Sequence, residues 1–254
     1  MPQFAPSYED LKFMTPLSQE RADRLVAFAI EGLTQGTVLD LGCGWAELLL
    51  QVVAAAPAAH GLGVDSDPQA INHARVLAVD RGLTHRVTLE ARELSPDELP
   101  SADVIICVGA SQIWSPPAEA NEPLGYRAAL RAIRAMLPSG ARAIYGEAIW
   151  SQTPNQAAAD PLSGRLDEFI SLRELVALTV EEGFQPVSLG EATVDEWDVF
   201  ESGFSAKFAK WLAQHPSDDP DAAAVRTRVA EQRGGYLGGY RGVLGMAYLG
   251  LIAV

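Results

Sequence analysis

Apolar runs and amphipathic stretches alternate along most of this chain. Short runs rich in Val, Ile, Leu and Ala predict strands near residues 37–41, 60–65, 86–91, 103–108 and 141–148, with two more near 184–192 and 245–253. Between them apolar residues recur at helical spacing. Helices are expected from Ser18 to Leu33 and near 46–56, 67–82, 122–137 and 171–183. Leu25, Phe28 and Ala29 form one apolar face, Ile71, Ala74 and Ala78 a second, and Leu130, Ile133 and Leu137 a third. Strand and helix in turn imply α/β architecture: a parallel, doubly wound sheet with helices on both sides.

Two segments exceed this minimal pattern, 149–167 and 195–240. The second is long and aromatic, with Trp197, Phe200 and Phe204 at helical spacing. Both are read as a cap over the carboxyl edge of the sheet, where ligands of such folds bind. One domain is expected: a helical segment over 1–34, a nucleotide-binding core over 35–194, a helical cap over 195–240 and a final strand over 241–254. Gly234–Gly242 reads as a flexible, aromatic stretch whose Tyr236, Tyr240 and Arg241 are placed to close over the site.

The first predicted strand ends in Asp40, then Leu41-Gly42-Cys43-Gly44, and a helix follows at once. Strand, glycine turn and helix form a nucleotide-binding crevice, because a side chain at either glycine would hold a ligand off the backbone. The spacing departs from Gly-x-Gly-x-x-Gly. Glu47 stands three past Gly44, where a carboxylate would repel a pyrophosphate, and Ala46 is small. The loop therefore suits a nucleoside without a diphosphate, with Asp40 placed to accept from a cationic amine. Asp65 ends the second strand 21 positions after Gly44 (65 − 44), near the spacing at which an acid meets ribose hydroxyls. Ser66 or Asp67 caps the next helix, with Pro68 in its first turn.

Val38-Leu39-Asp40-Leu41-Gly42-Cys43-Gly44 closely resembles the first motif of class I S-adenosylmethionine-dependent methyltransferases. The resemblance implies a Rossmann-like sheet of seven strands, the last antiparallel, with the helical cap inserted between strands six and seven. It implies S-adenosylmethionine as cofactor. The family's third glycine is replaced here by Ala46. Carried onto this sequence, the donor site comprises Asp40, Gly42, Cys43, Gly44, Asp65 and Ser66, with Arg92 or Glu93 at the adenine and Gly109 and Ala110 beside the methyl group. Leu137-Pro138-Ser139-Gly140 resembles the turn before the family's fifth strand. That strand delivers Glu147 to the carboxyl edge, where a buried carboxylate can act as base. Glu147 and Gln112 are the candidate catalytic residues. Ser111, Trp114, Trp150, Trp197 and Tyr240 are candidates for the acceptor. Tyr8 and Phe13 are expected to cover the donor. The Asn/Asp-Pro-Pro-Tyr motif of members acting on amines or DNA bases is absent, because the only Pro-Pro pair, Pro116-Pro117, comes too late in the loop.

Charge narrows the acceptor. The chain of 254 residues carries a formal charge of −14, which disfavours a phosphate backbone as substrate. A small-molecule acceptor is expected, without nucleic acid or membrane, and a homodimer stays open. The two cysteines suggest no disulfide, no acid cluster suggests a metal, and the N-terminus lacks a signal peptide, so the cytoplasm is the expected location. Two rivals stand beside methyl transfer: an NAD-dependent oxidoreductase and a non-catalytic S-adenosylmethionine-binding protein.

Overall fold

The computed structural model describes residues 2–94, 99–114 and 122–254. Its strands are β1 (Gly36–Leu41), β2 (Ala59–Asp65), β3 (Val87–Ala91), β4 (Val104–Val108), β5 (Arg142–Trp150), β6 (Phe184–Glu191) and β7 (Leu244–Ala253). They form one sheet in the order β3-β2-β1-β4-β5-β7-β6. Neighbours in the β3-to-β5 run are parallel, and β7 runs antiparallel to both β5 and β6. This is the sheet the resemblance implies, including its reversed last strand.

Helices α1 (Gln19–Ile30), α2 (Glu47–Ala55) and α3 (Pro68–Asp80) pack on one face of the sheet, and α4 (Tyr126–Met136) and α6 (Leu172–Glu181) on the other. Alternation along the strands serves both faces. Val104 and Ile106 join the first core, while Ile105 and Cys107 join the second. The helix starts are fixed by side chains that satisfy free backbone donors. Ser18 accepts from Arg21 N–H, and Asp67, not Ser66, caps α3 with Pro68 in its first turn. Ser171 with Glu174 and Thr193 with Glu196 form capping boxes.

The short α5 (Gln156–Ala159) lies in the 149–167 segment, and the longer insertion is helical: α7 (Val194–Gln214), α8 (Ala222–Gly235) and a π-helical turn, Tyr236–Tyr240. The flexibility expected over Gly234–Gly242 is thus corrected: most of the stretch is helical and anchored. The hydroxyls of Tyr236 and Tyr240 donate to Asp198 and Glu201 of α7 at 2.7 Å each, and Arg241 makes two bonds of 2.8 Å to Asp198. These anchors outweigh the conformational freedom of the glycines. Pro116-Pro117 lies outside the described residues.

Candidate active site

The helices that follow β1 and β4 pack on opposite faces of the sheet, so the loops leaving these neighbouring strands diverge at their carboxyl ends. A cavity of ≈ 460 Å³ opens there. Its floor is the glycine turn, the loops after β2, β3 and β4, and the end of β5. Its roof is a strap, Phe13 to Leu17, together with Trp197 and Phe200 of α7.

The glycine turn has no room for side chains. Gly42 has φ +70°, and a Cβ there would lie 2.6 Å from the Cβ of Ala110, so the loops after β1 and β4 touch through this bare backbone. Ala46, where the family's third glycine stands, has φ +57°, the one positive φ outside glycine among the described residues. This left-handed conformation explains why glycine is at home there.

Asp65 locks the turn. Its Oδ2 accepts the Gly44 N–H at 2.7 Å and its Oδ1 the Asp67 N–H at 2.9 Å. Each carboxylate oxygen retains a second lone pair for a ribose hydroxyl. Asp40 is buried at the base of the cavity, and its carboxyl is pushed up to about 8 by burial and then by the charge of Asp65. A cationic group bound beside it would offset both effects. Glu47 also lines the cavity, and its carboxylate pairs with Arg81 at 2.5 Å and Lys12 at 3.6 Å. It puts negative charge at the α2 N-terminus, where a pyrophosphate would have to sit. These features suit a nucleoside with a cationic amino-acid tail and oppose a dinucleotide.

At the other end, Glu147 of β5 is 3% exposed. Its Oε2 accepts the Ser111 N–H and its Oε1 the Ala148 N–H, both at 3.0 Å. Burial raises its pKa above the usual glutamate value, and these bonds offset only part of that. Ser111 turns its hydroxyl to Tyr145, with 2.6 Å between the oxygens. Gln112 lies on the same wall, its amide donating to the Gly109 carbonyl at 3.3 Å.

Asp40, Gly42, Cys43, Gly44, Asp65, Ser66, Arg92, Glu93, Gly109 and Ala110 all line this one cavity, as do Gln112, Glu147, Trp197 and Phe13. Four acceptor candidates do not. Ser111 is fully buried beneath Glu147. Trp114 packs on the core of the opposite face. Trp150 is buried with its indole N–H on the Leu166 carbonyl, 2.9 Å away, and Tyr240 is committed to Glu201. Tyr8 also lies off the wall, stacked on His73 with ring centroids 3.8 Å apart. Among the lining residues that sequence reasoning missed are Met14 to Leu17, Trp45, Ile113 and Met246. The strap carries no motif, and its only signal was the neighbouring Phe13.

The roof is pinned by one buried carboxylate. Glu196, beside Trp197, accepts from Ser18 N–H at 2.9 Å, Ser18 Oγ at 2.5 Å, Thr193 N–H at 2.7 Å and Arg21 Nη2 at 2.8 Å. Burial would raise this acid, but Arg21 and the Ser18 and Thr193 donors prevail and hold it at about 2.

Residues 39–143 match the family model described as a methyltransferase domain. Among solved structures the chain is similar to an S-adenosylmethionine-dependent methyltransferase from Geobacter sulfurreducens in complex with S-adenosyl-L-homocysteine. That similarity has 26% identity and a TM-score of 0.84, over 98% of this chain and 96% of that one. It is 29% identical over 197 residues to the uncharacterized protein YjhP of Escherichia coli, covering 76% of this chain and 74% of YjhP. It is 30% identical over 174 residues to the methyltransferase ungE' of Aspergillus campestris, covering 66% of this chain and 47% of that protein.

Proposed function

We propose that this chain is a class I S-adenosylmethionine-dependent methyltransferase acting on a small molecule, and that its acceptor presents a hydroxyl whose proton is taken by Glu147. The observation that carries the proposal is the position of Glu147. It is a buried carboxylate on the cavity wall, on the strand beside the Gly109–Ala110 loop, with its acidity lowered by burial.

Bound in the cavity, S-adenosylmethionine supplies a methyl group activated on a sulfonium. The residues of the chain do the rest. Asp65 receives the ribose hydroxyls, and Asp40 receives the amino group. The backbone of Gly42, Gly44 and Gly109 lets the donor approach closely, and Arg92 and Glu93 border the base. Gln112 helps orient the acceptor. The methyl carbon–sulfur bond breaks as the bond to the acceptor oxygen forms, and the hydroxyl proton passes to Glu147. Most of the rate comes from holding nucleophile and methyl in line, and the base contributes about 10²–10⁴ where the nucleophile must lose a proton.

The acidic surface implied by a charge of −14 favours a small acceptor over nucleic acid. Free Cys43 and Cys107 suit a reducing compartment, which supports a cytoplasmic location. No helix among the described residues is long and apolar enough to cross a membrane.

The test is transfer of labelled methyl to a panel of small hydroxy compounds and their amine counterparts, with wild type and Glu147→Gln. The reading expects hydroxyl acceptors, a loss of about a hundredfold or more in the variant, and unchanged S-adenosylhomocysteine affinity. Full activity in Glu147→Gln would remove the base.

A further inference from the structure

Two hydroxyls stand behind Glu147, those of Ser111 and Tyr145, both fully buried. Tyr145 precedes Glu147 by two positions on β5, so both side chains leave the same face of the sheet. Ser111 comes from the loop after β4 and holds Glu147 Oε2 by its backbone N–H at 3.0 Å. Its hydroxyl oxygen lies 2.6 Å from that of Tyr145.

Counting protons gives this contact a direction. Each hydroxyl carries one proton, and a buried donor left without an acceptor is costly. Among the described residues the Tyr145 hydroxyl has no hydrogen-bond partner but Ser111. If Ser111 donated to Tyr145, the Tyr145 proton would have no acceptor. With Tyr145 as donor, the Ser111 proton is free for Glu147 and both hydroxyls are satisfied. Burial raises the Glu147 pKa, and the Ser111 side chain is the largest effect opposing it, ahead of the backbone N–H groups of Ala148, Ser111 and Ala110.

The other two buried glutamates have cations: Glu47 pairs with Arg81 and Glu196 with Arg21. Glu147 has no ion pair among the described residues. The titratable groups that feel its charge are Cys107 of β4, Tyr126 of α4 and Tyr145 itself, and burial raises the pKa of each and keeps it protonated. Neutral donors therefore do for Glu147 what guanidinium groups do for the other two.

Resting on the reading of Glu147 as base, we infer that Ser111 and Tyr145 are positioning residues: a buried chain of two hydroxyls, Tyr145 to Ser111 to Glu147, that fixes the carboxylate and favours its ionised form. That is the form able to take the acceptor's proton.

The test needs no acceptor. Protein labelled with ¹³C at the glutamate side-chain carboxyl is saturated with S-adenosylhomocysteine and titrated by NMR, for wild type, Ser111→Ala and Tyr145→Phe. The Glu147 signal is the one missing in Glu147→Gln. The inference predicts that Ser111→Ala raises the Glu147 titration midpoint by about one pH unit or more. Tyr145→Phe keeps the ring and leaves Ser111 in place, and it should raise the midpoint by a smaller amount. Were the chain to run the other way, Tyr145→Phe would release the Ser111 proton to Glu147 and lower the midpoint. A fall in Tyr145→Phe, or an unmoved midpoint in either variant, overturns the inference. Two other readouts test the reading beneath it. Absence of S-adenosylhomocysteine binding in wild type removes the donor site, and full methyl transfer by Glu147→Gln removes the base, whatever the midpoints do.

Discussion

Replacing Asp40 with Asn should make the donor-free protein more stable and the donor site worse. Asp40 is buried, and its carboxyl titrates at about 8 against an ordinary value of 3.8, through burial and then the charge of Asp65. The folded state therefore holds a proton that the unfolded chain releases. Between pH 3.8 and 8 the native state binds more protons, so stability falls as pH rises through that window. At pH 7 about three pH units of penalty have accumulated, each worth about 1.4 kcal/mol, for an upper bound of about 4 kcal/mol. Solvent reaching the open cavity screens part of this, leaving about 2 kcal/mol. Asn mimics the protonated acid and escapes the penalty. Thermal and urea unfolding of Asp40→Asn should show a gain at pH 7 that vanishes near pH 4. Calorimetry in buffers of different ionisation enthalpy should show proton release when wild type binds S-adenosylhomocysteine, and weaker binding by Asp40→Asn. Destabilisation of the variant at pH 7, or a gain that persists unchanged at pH 4, would refute the reasoning.

The roof makes the opposite prediction. Glu196 is held at about 2 against an ordinary 4.5, so its stabilisation is present above pH 4.5 and lost as pH falls toward 2. Glu196→Gln leaves Arg21 without its charged partner and should cost about 3 kcal/mol in urea unfolding at pH 7, with a smaller difference at pH 3. At the glycine turn, Gly42→Ala forces a methyl into Ala110 in a left-handed conformation and should lower S-adenosylhomocysteine affinity by about tenfold or more. Ala46→Gly relieves a left-handed strain but gives up a buried methyl and adds chain entropy, so its urea midpoint should shift by no more than about 1 kcal/mol.

What was legible in the sequence was what rests on local chemistry. The glycine turn and Asp65 stood out because backbone access and spacing along a strand–turn–helix unit are local features, and all the donor-site candidates line one cavity. Glu147 stood out because a charged residue within a buried strand needs a reason to be there. The aromatic residues were not. Trp150 and Trp197 look alike in sequence, yet one lies off the cavity with its N–H on the Leu166 carbonyl and the other lines the cavity. Which way an indole turns is decided by packing between segments far apart in the chain. The strap stayed hidden for the same reason. Met14 to Leu17 become a wall only because Ser18 and Arg21 just beyond them are clamped to Glu196, some 175 residues downstream. Gly234–Gly242 misled because five glycines suggest mobility, whereas Tyr236, Tyr240 and Arg241 bind acids on α7.

The most direct test of the central claim is calorimetric titration of the protein with S-adenosylmethionine, S-adenosylhomocysteine and NAD, for wild type and Asp65→Asn. The account predicts that both sulfur nucleosides bind, that Asp65→Asn weakens them by about tenfold or more, and that NAD does not bind. Binding of NAD in their place, or no binding of either sulfur nucleoside, would contradict it.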